Sequence, residues 1–449
     1  MDIGFSVLAF IVAIGVLVTV HEFGHYVVAR ALGVKVLRFS VGFGKPIWTH
    51  RAGRDQTEYV LAALPLGGYV KMLDENEGDV PAQDLHRAFN RQSYKVRSAI
   101  VLAGPILNFI FAIFVYWLLF VSGIPGARPV IGEVMQDSPA NAAGLRAGDE
   151  ITSVSGRDTP TWQTARMAIL KGLINDQPIE LMVQATSGTH VKHVLYPPTE
   201  KAMPDDGAVL GHLGIVRWRP QALIGAVSSD GAGARAGFRR GDRVLSIDQH
   251  TVSSWGELVK IIRENPGKDL TVRVERNAAQ VELLLTPAVK SEDGKRIGYI
   301  GVAPEMGQFR AMRAEQRYSP LGAIGAAFVK TWDVSVLILQ MLGKMVIGEA
   351  SIKNISGPIT IAQYAGETAS LGLGPFVHFL ALVSISLGVL NLLPIPLLDG
   401  GHLLYYLIEI VKGKALSERA ALVGQQAGLV LLIGLMSLAF YNDLIRVFG

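Results

Sequence analysis

The sequence predicts a polytopic α-helical membrane protein with four transmembrane helices, cytoplasmic membrane-associated β-loops, and two tandem extracytoplasmic domains of mixed α and β structure. Three observations carry that expectation. Half of the 449 residues are apolar and only 18% are charged. The apolar residues gather in four uncharged runs, Ile3 to Val20, Ala99 to Val121, Leu371 to Leu398 and Ala420 to Asn442, each about as long as a bilayer core requires. The long stretch between the second and third runs repeats itself.

Composition also excludes whole classes of function. With no cysteine, disulfides, thiolate nucleophiles and cysteine-held zinc are removed together, so any metal must be held by His and carboxylate. A net charge of +4, with no dense Lys/Arg run interleaved with aromatics, argues against nucleic acid as a partner. The lipid bilayer is the expected one.

Residues 1–30 form the first span. A signal peptide is the rival reading, but Met1-Asp2 offers no positive n-region and no small-x-small site precedes the charged HEFGH. The loop over 31–97 carries Arg30, Lys35, Arg38, Lys45, Arg51, Arg54, Lys71, Arg87, Arg91, Lys95 and Arg97 around it, and the loop over 403–419 adds Lys412, Lys414 and Arg419. The N-terminal tail has no Lys or Arg and the C-terminal tail only Arg446, so both loops are expected in the cytoplasm and both termini outside. Spans over 98–122, 371–402 and 420–442 follow, with residues 308–370 as a linker holding amphipathic helices. Val334 to Ile347, interrupted by Lys344 and preceded by Lys330 and Asp333, reads as a helix on the membrane surface. A fifth crossing there would invert the third span. A second amphipathic stretch, around Ile352 to Gln363, is expected to join the outer domains to the spans.

Between the second and third spans, Ile131 to Trp162 matches Ile224 to Trp255 at a fixed offset of 93, with 11 identities in 32 positions. Each kernel reads as a strand, a small-residue helical turn, Gly144 or Gly237, then a Gly-Asp turn into another strand. This resembles the circularly permuted PDZ domain of bacterial proteases, and domains over 127–219 and 220–307 are expected. The resemblance implies peptide recognition by strand addition; simple steric exclusion is the alternative.

His21-Glu22-Phe23-Gly24-His25 closes the first span. Residues four apart share a helix face, so both imidazoles can reach one Zn²⁺, leaving room for a water whose proton Glu22 takes. Seventeen residues from Gly4 place His21 about 25 Å into a core of about 30 Å, near the cytoplasmic face. Two histidines need a further ligand. Asp399, at the end of the third span in NLLPIPLLDG, reaches the same face if there are four spans; His402 is its rival. The β-rich segments Val34 to Gly44 and Glu58 to Met72 hold Gly42, Gly44, Gly67 and Gly68, which permit close backbone approach, so that an unwound substrate strand could add there.

HEFGH with NLLPIPLLDG resembles the signature of the site-2 protease family of intramembrane zinc metalloproteases, and the two PDZ-like copies, VGFGK at Val41 to Lys45 and LPLGGYVKM at Leu64 to Met72 extend that resemblance over the chain. It implies that His21, His25 and Asp399 bind Zn²⁺, that Glu22 is the general base, and that Asn391 and Pro394 contact substrate, Asn391 through its side-chain amide. It also implies a bacterial inner membrane protein with periplasmic PDZ domains acting as a size filter. The implied substrates are single-span membrane proteins: an anti-sigma factor of envelope stress signalling already trimmed outside, and remnant signal peptides. Two other classes compete. A catalytically silent receptor or chaperone would use the outer domains and leave the metal motif without purpose; a transporter would need midplane charges and inverted repeats, which the sequence lacks.

Overall fold

Among the described residues of the computed structural model, five helices are long and apolar enough to cross a membrane: α1 (Ile3–Ala31), α2 (Tyr94–Ser122), α3 (Pro320–Val346), α5 (Leu373–Leu392) and α7 (Glu418–Phe448, apolar over Leu422–Arg446). The structure describes residues 3–78, 80–197, 209–292, 295–349, 355–413 and 417–448; Lys414 and the first three residues of the stretch beginning at Ile352 lie outside them. The chain divides into two units, Met1–Ile124 with Arg317–Gly449, and Pro125–Gln316.

In the first unit α2 is the axis. Ser93 caps its start by accepting the Val96 N–H, and Gly123, at φ +89°, ends it. Gly24 of α1 lies so close that a Cβ there would meet the Ala103 carbonyl oxygen at 2.3 Å. Helix α5 runs antiparallel to α2: His378 packs edge-on against Tyr116, and the Ser384 hydroxyl donates to the Asn108 carbonyl at 2.9 Å.

Helix α3 departs from expectation. In place of a short surface helix over Val334 to Ile347, one continuous helix starts beside the end of α2, where the Trp117 indole donates to the Pro320 carbonyl, and packs Ala323, Ala327 and Val334 against Ala112, Val115, Tyr116 and Phe120. Its small residues allow that close packing, and the contact carries the helix past Lys330 and Asp333. The inversion expected of a fifth apolar helix does not follow. Helices α3 and α5 both run back along α2, and the chain between them returns through α4 (Pro358–Ser370), whose Gly366 lies against Ser6 of α1.

The third expected span ends in the break that its prolines predict. Helix α5 stops at Leu392; Pro394 and Pro396 lack the N–H a helix needs, Leu397 takes φ +81°, and Asp399 opens a separate helix, α6 (Asp399–Lys412), over much of what reads as loop.

The strands β1 (Val36–Ala52) and β2 (Thr57–Met72) each bend to make two segments. Residues 36–41 pair antiparallel with 68–72 on one side, while the register from Arg38↔Glu58 to Val41↔Leu61 rises in both strands on the other. Residues 57–62 in turn pair antiparallel with 46–52. The two expected β segments are thus neighbours, and residues 64–72 form an edge that packs on α1.

The second unit bears out the internal repeat element by element. Strands Ile131–Val134 and Ile224–Val227, helices Pro139–Ala142 and Ala232–Arg235, strands Glu150–Val154 and Arg243–Ile247, and helices Trp162–Ile174 and Trp255–Glu264 all start 93 residues apart. Each half builds one four-stranded sheet in the same order, and in each the first strand pairs with a late one, Ile215–Arg217 or Val302–Pro304. Each half has its own core, around Ile131, Ile151 and Trp162 in one and Ile224, Val244 and Leu258 in the other.

Candidate metal centre

Helical spacing sets His21 and His25 on one face of α1, with their Nε2 atoms 3.2 Å apart and rings nearly perpendicular. The turn after α5 brings Asp399 to them: its Oδ2 lies 3.2 Å from His21 Nε2 and 3.5 Å from His25 Nε2. Among the described residues this is the one group of three or more His and carboxylates gathered closely enough to hold a metal ion. His402, the rival ligand, is outside it and packs edge-on against Tyr405.

The donor set fits zinc on two counts. Ligand atoms about 2.0 to 2.1 Å from a tetrahedral ion stand roughly 3.3 Å from one another, which the three measured edges bracket. Asp399 Oδ2 is buried and, among the described residues, faces no hydrogen-bond donor besides the two imidazoles, an arrangement that a cation relieves. Each imidazole also has its far nitrogen engaged. His25 Nδ1 lies 2.8 Å from the Ile100 carbonyl, which can only accept, so the proton sits on Nδ1 and the Nε2 lone pair faces the centre. His21 Nδ1 lies 3.1 Å from the Asn108 side-chain amide.

Glu22 is on the same turn of α1 but outside the triad, its carboxyl facing the Val70 N–H on the β2 edge. Gly68 makes that approach possible, since a Cβ there would fall 2.7 Å from the Ser40 carbonyl oxygen and 3.2 Å from Glu22 Cγ. Gly42 and Gly67 are likewise pressed against β-segment neighbours of their own chain, Leu64 and Phe43, whereas Gly44 has room. Asn391 is half-buried near the end of α5, and Pro394 is exposed in the turn that leads to Asp399.

Sequence reasoning missed the floor of the site. A Cβ on Gly104 of α2 would stand 2.3 Å from His25 Nε2 and 2.8 Å from His21 Cε1, so only glycine leaves the imidazoles their place. The available signals were a Gly-Pro pair and a single amide, Asn108, inside an otherwise apolar span.

The chain is similar to the regulator of sigma-E protease RseP of Escherichia coli strain K12, 43% identical with 98% of each chain covered. It is similar to the protease RseP of Yersinia pestis, 42% identical over all of both chains. A Vibrio cholerae protein whose name includes "zinc metalloprotease" is 44% identical, with 99% of this chain and 100% of that one covered. Among solved structures, the PDZ domain of an SdrC-like protein from Listeria monocytogenes aligns with 20% of this chain and 90% of its own, at 17% identity and a TM-score of 0.17, too low to bear on the fold. The sequence profile of peptidase family M50 matches residues 9–435, and with His21, His25 and Asp399 meeting at one point this chain belongs to that family of site-2 metalloproteases.

Proposed function

We propose that this metalloprotease hydrolyses peptide bonds inside the membrane-spanning segments of single-span proteins, with His21, His25 and Asp399 as zinc ligands and Glu22 as general base. The observation that carries the reading is the triangle of three ligand atoms with tetrahedral edge lengths, two on a helix long and apolar enough to cross a membrane and the third just beyond the end of another. His21, His25 and Asp399 would hold a zinc ion whose charge would polarise a carbonyl and lower the pKa of a water to about 7. Glu22 takes the proton of the attacking water and returns it to the leaving amine, as a carboxyl beside but outside the ligand set can.

A helical substrate hides its carbonyls in its own hydrogen bonds, and unwinding it in lipid requires replacement partners. Residues 68–72 pair with 36–41 and present the Val70 N–H to Glu22, which supports strand addition next to the metal. Asn391 and Pro394 border the turn that delivers Asp399 and would hold the other side of the extended segment. With Lys and Arg gathered in 31–97 and 403–419, the metal end faces the cytoplasm of a bacterial inner membrane and the duplicated unit the periplasm. There it would act as a PDZ-type filter admitting trimmed substrates such as an anti-sigma factor, in keeping with the relatives named as regulators of sigma-E.

The test is purified wild type and Glu22→Gln, each measured for zinc content and for cleavage of a single-span reporter in detergent or liposomes. Glu22→Gln is expected to keep one zinc and lose hydrolysis. Turnover by that variant at the wild-type rate removes Glu22 as base; absence of cleavage by zinc-loaded wild type on several trimmed reporters favours a receptor instead.

A further inference from the structure

We infer that Asn108 is a positioning residue for the metal centre: its side-chain carbonyl accepts the Nδ1–H of His21 and so fixes that imidazole with its Nε2 lone pair toward the ion. The inference rests on His21 being a ligand, as proposed above.

Asn108 is fully buried, and one of its amide atoms lies 3.1 Å from His21 Nδ1. Only one orientation of the amide is compatible with metal binding. If the NH₂ donates to Nδ1, the imidazole must carry its proton on Nε2, pointing at His25 Nε2 3.2 Å away and at Asp399, and has no lone pair to offer there; the Asn108 Oδ1 is meanwhile buried without a partner. Exchanging amide O and N, atoms of nearly the same shape, puts a carbonyl on Nδ1, the proton on Nδ1 and the lone pair on Nε2. His25 shows the same arrangement with no choice of orientation, because its Nδ1 meets the Ile100 carbonyl at 2.8 Å. Ile100 and Asn108 lie on one helix, α2, so a single rigid element sets both imidazoles. The Ser384 hydroxyl, donating to the Asn108 main-chain carbonyl, ties that position to α5.

The test is zinc affinity, read by chelator competition on the purified full chain, for Asn108→Leu, Asn108→Asp, Ser384→Ala and His21→Ala. Asn108→Leu keeps the volume and removes the acceptor, and is expected to weaken zinc binding by about 10- to 100-fold. Asn108→Asp can accept but not donate, and is expected to bind zinc at least as tightly as wild type. Ser384→Ala, which removes a helix contact without touching His21, is expected to leave affinity within about twofold of wild type. Loss of zinc by Asn108→Asp, or wild-type affinity in Asn108→Leu, overturns the inference. If Asn108→Leu does not fold, Asn108→Asp alone decides. His21→Ala separates the two levels: unchanged zinc in that variant overturns the ligand assignment itself, whereas reduced zinc there with unchanged zinc in Asn108→Leu overturns only the role of Asn108.

Discussion

Replacing Gly104 with alanine adds one methyl group at the closest point between α2 and the two imidazoles. The new carbon would stand 2.3 Å from His25 Nε2, 2.6 Å from His25 Cε1 and 2.8 Å from His21 Cε1. Non-bonded heavy atoms rest at about 3.5 Å, so a ring or a helix must yield by about 1 Å. Helix α2 cannot yield easily, because α3 and α5 are packed against it as well, Ala323 and Ala327 on Tyr116 and its neighbours and Gly388 on Phe109. Metal–ligand distances tolerate roughly 0.2 Å, and a misplacement of about 1 Å at a reacting centre costs about 100-fold in rate. Gly104→Ala is therefore expected to lose zinc affinity by at least about tenfold and reporter cleavage by about 100-fold, measured by chelator competition and by a single-span cleavage assay. Gly15→Ala is the control: it sits on α1 with nothing within 4 Å of its Cβ and should change stability by no more than about 1 kcal/mol and zinc not at all. A folded Gly104→Ala protein that binds zinc and cleaves like wild type would refute the packing argument.

Asp443, fully buried, accepts hydrogen bonds from the N–H groups of Gly357, Ile359 and Thr360 and from the Thr360 hydroxyl. Asp443→Ala should leave those donors unpaired at about 1 kcal/mol or more each, so the first turn of α4 should exchange amide hydrogens about 100-fold faster; unchanged exchange there counts against the cap. Arg97 makes two contacts to Glu409 of α6, at 2.8 and 3.0 Å, and stacks over Tyr406. Arg97→Met should cost about 1 to 3 kcal/mol and lower zinc affinity, since α6 carries Asp399 at its other end; a loss of stability with intact affinity would show that α6 is held elsewhere. Hydrogen bonds from Arg87 at 2.7 and 2.6 Å, opposed by partial burial, hold the Asp55 carboxyl below the usual carboxylate range. A depressed folded value means that the stabilisation is complete above about pH 4 and is lost as pH falls through that lower value. The Tm gap between wild type and Asp55→Asn should accordingly be widest near neutrality and close in acid, and a gap that stays constant from roughly pH 7 to 3 would exclude the pair as its source.

The legible parts of this protein are the local ones. HEFGH places two ligand candidates and a carboxyl by helix geometry alone, and the 93-residue offset marks the paired elements from Ile131 to Trp162 and from Ile224 to Trp255, each set packed on a core of its own. Contacts between distant segments were not legible. Gly104 and Asn108 reach His21 across 83 and 87 positions, and no periodicity within α2 marks them. Val34 to Gly44 and Glu58 to Met72 read as β-rich, but neither the extension of the first strand to Ala52 nor the bends that let 38–41 pair with both 58–61 and 68–71 were marked. Helix α3 was misjudged because Lys330, Asp333 and Lys344 divide its apolar run, while Ala323 and Ala327, which seat it on α2, count for little on a hydropathy scale.

The break after α5 is what allows Asp399, the third proposed ligand, to arrive at all. Ser384 is level with Asn108, and Asn108 with His21. Asp399 is fifteen residues further on, so a continuous helix would carry it about 22 Å past the histidines. Its carboxyl instead stands 3.2 Å from His21. The chain must descend to Leu392, reverse within six residues, and restart as α6 at the level it left. Two prolines and the positive φ of Leu397 drive the reversal, while Gly400 and Gly401 give the returning helix room: a Cβ on either would fall 2.1 or 2.5 Å from the carbonyl oxygens of Leu393 and Ile395. Helix α6 then runs back beside the first half of α2 until Glu409 meets Arg97. Ile395 and Leu398 donate to the Leu393 and Ile395 carbonyls, but irregular backbone at such a depth is tolerated in lipid only where protein or water covers it, so the turn that delivers Asp399 also marks where water would reach a metal held there. Ligand delivery and solvent access are in this way one structural device, and restoring helix through residues 393–398 would abolish both together.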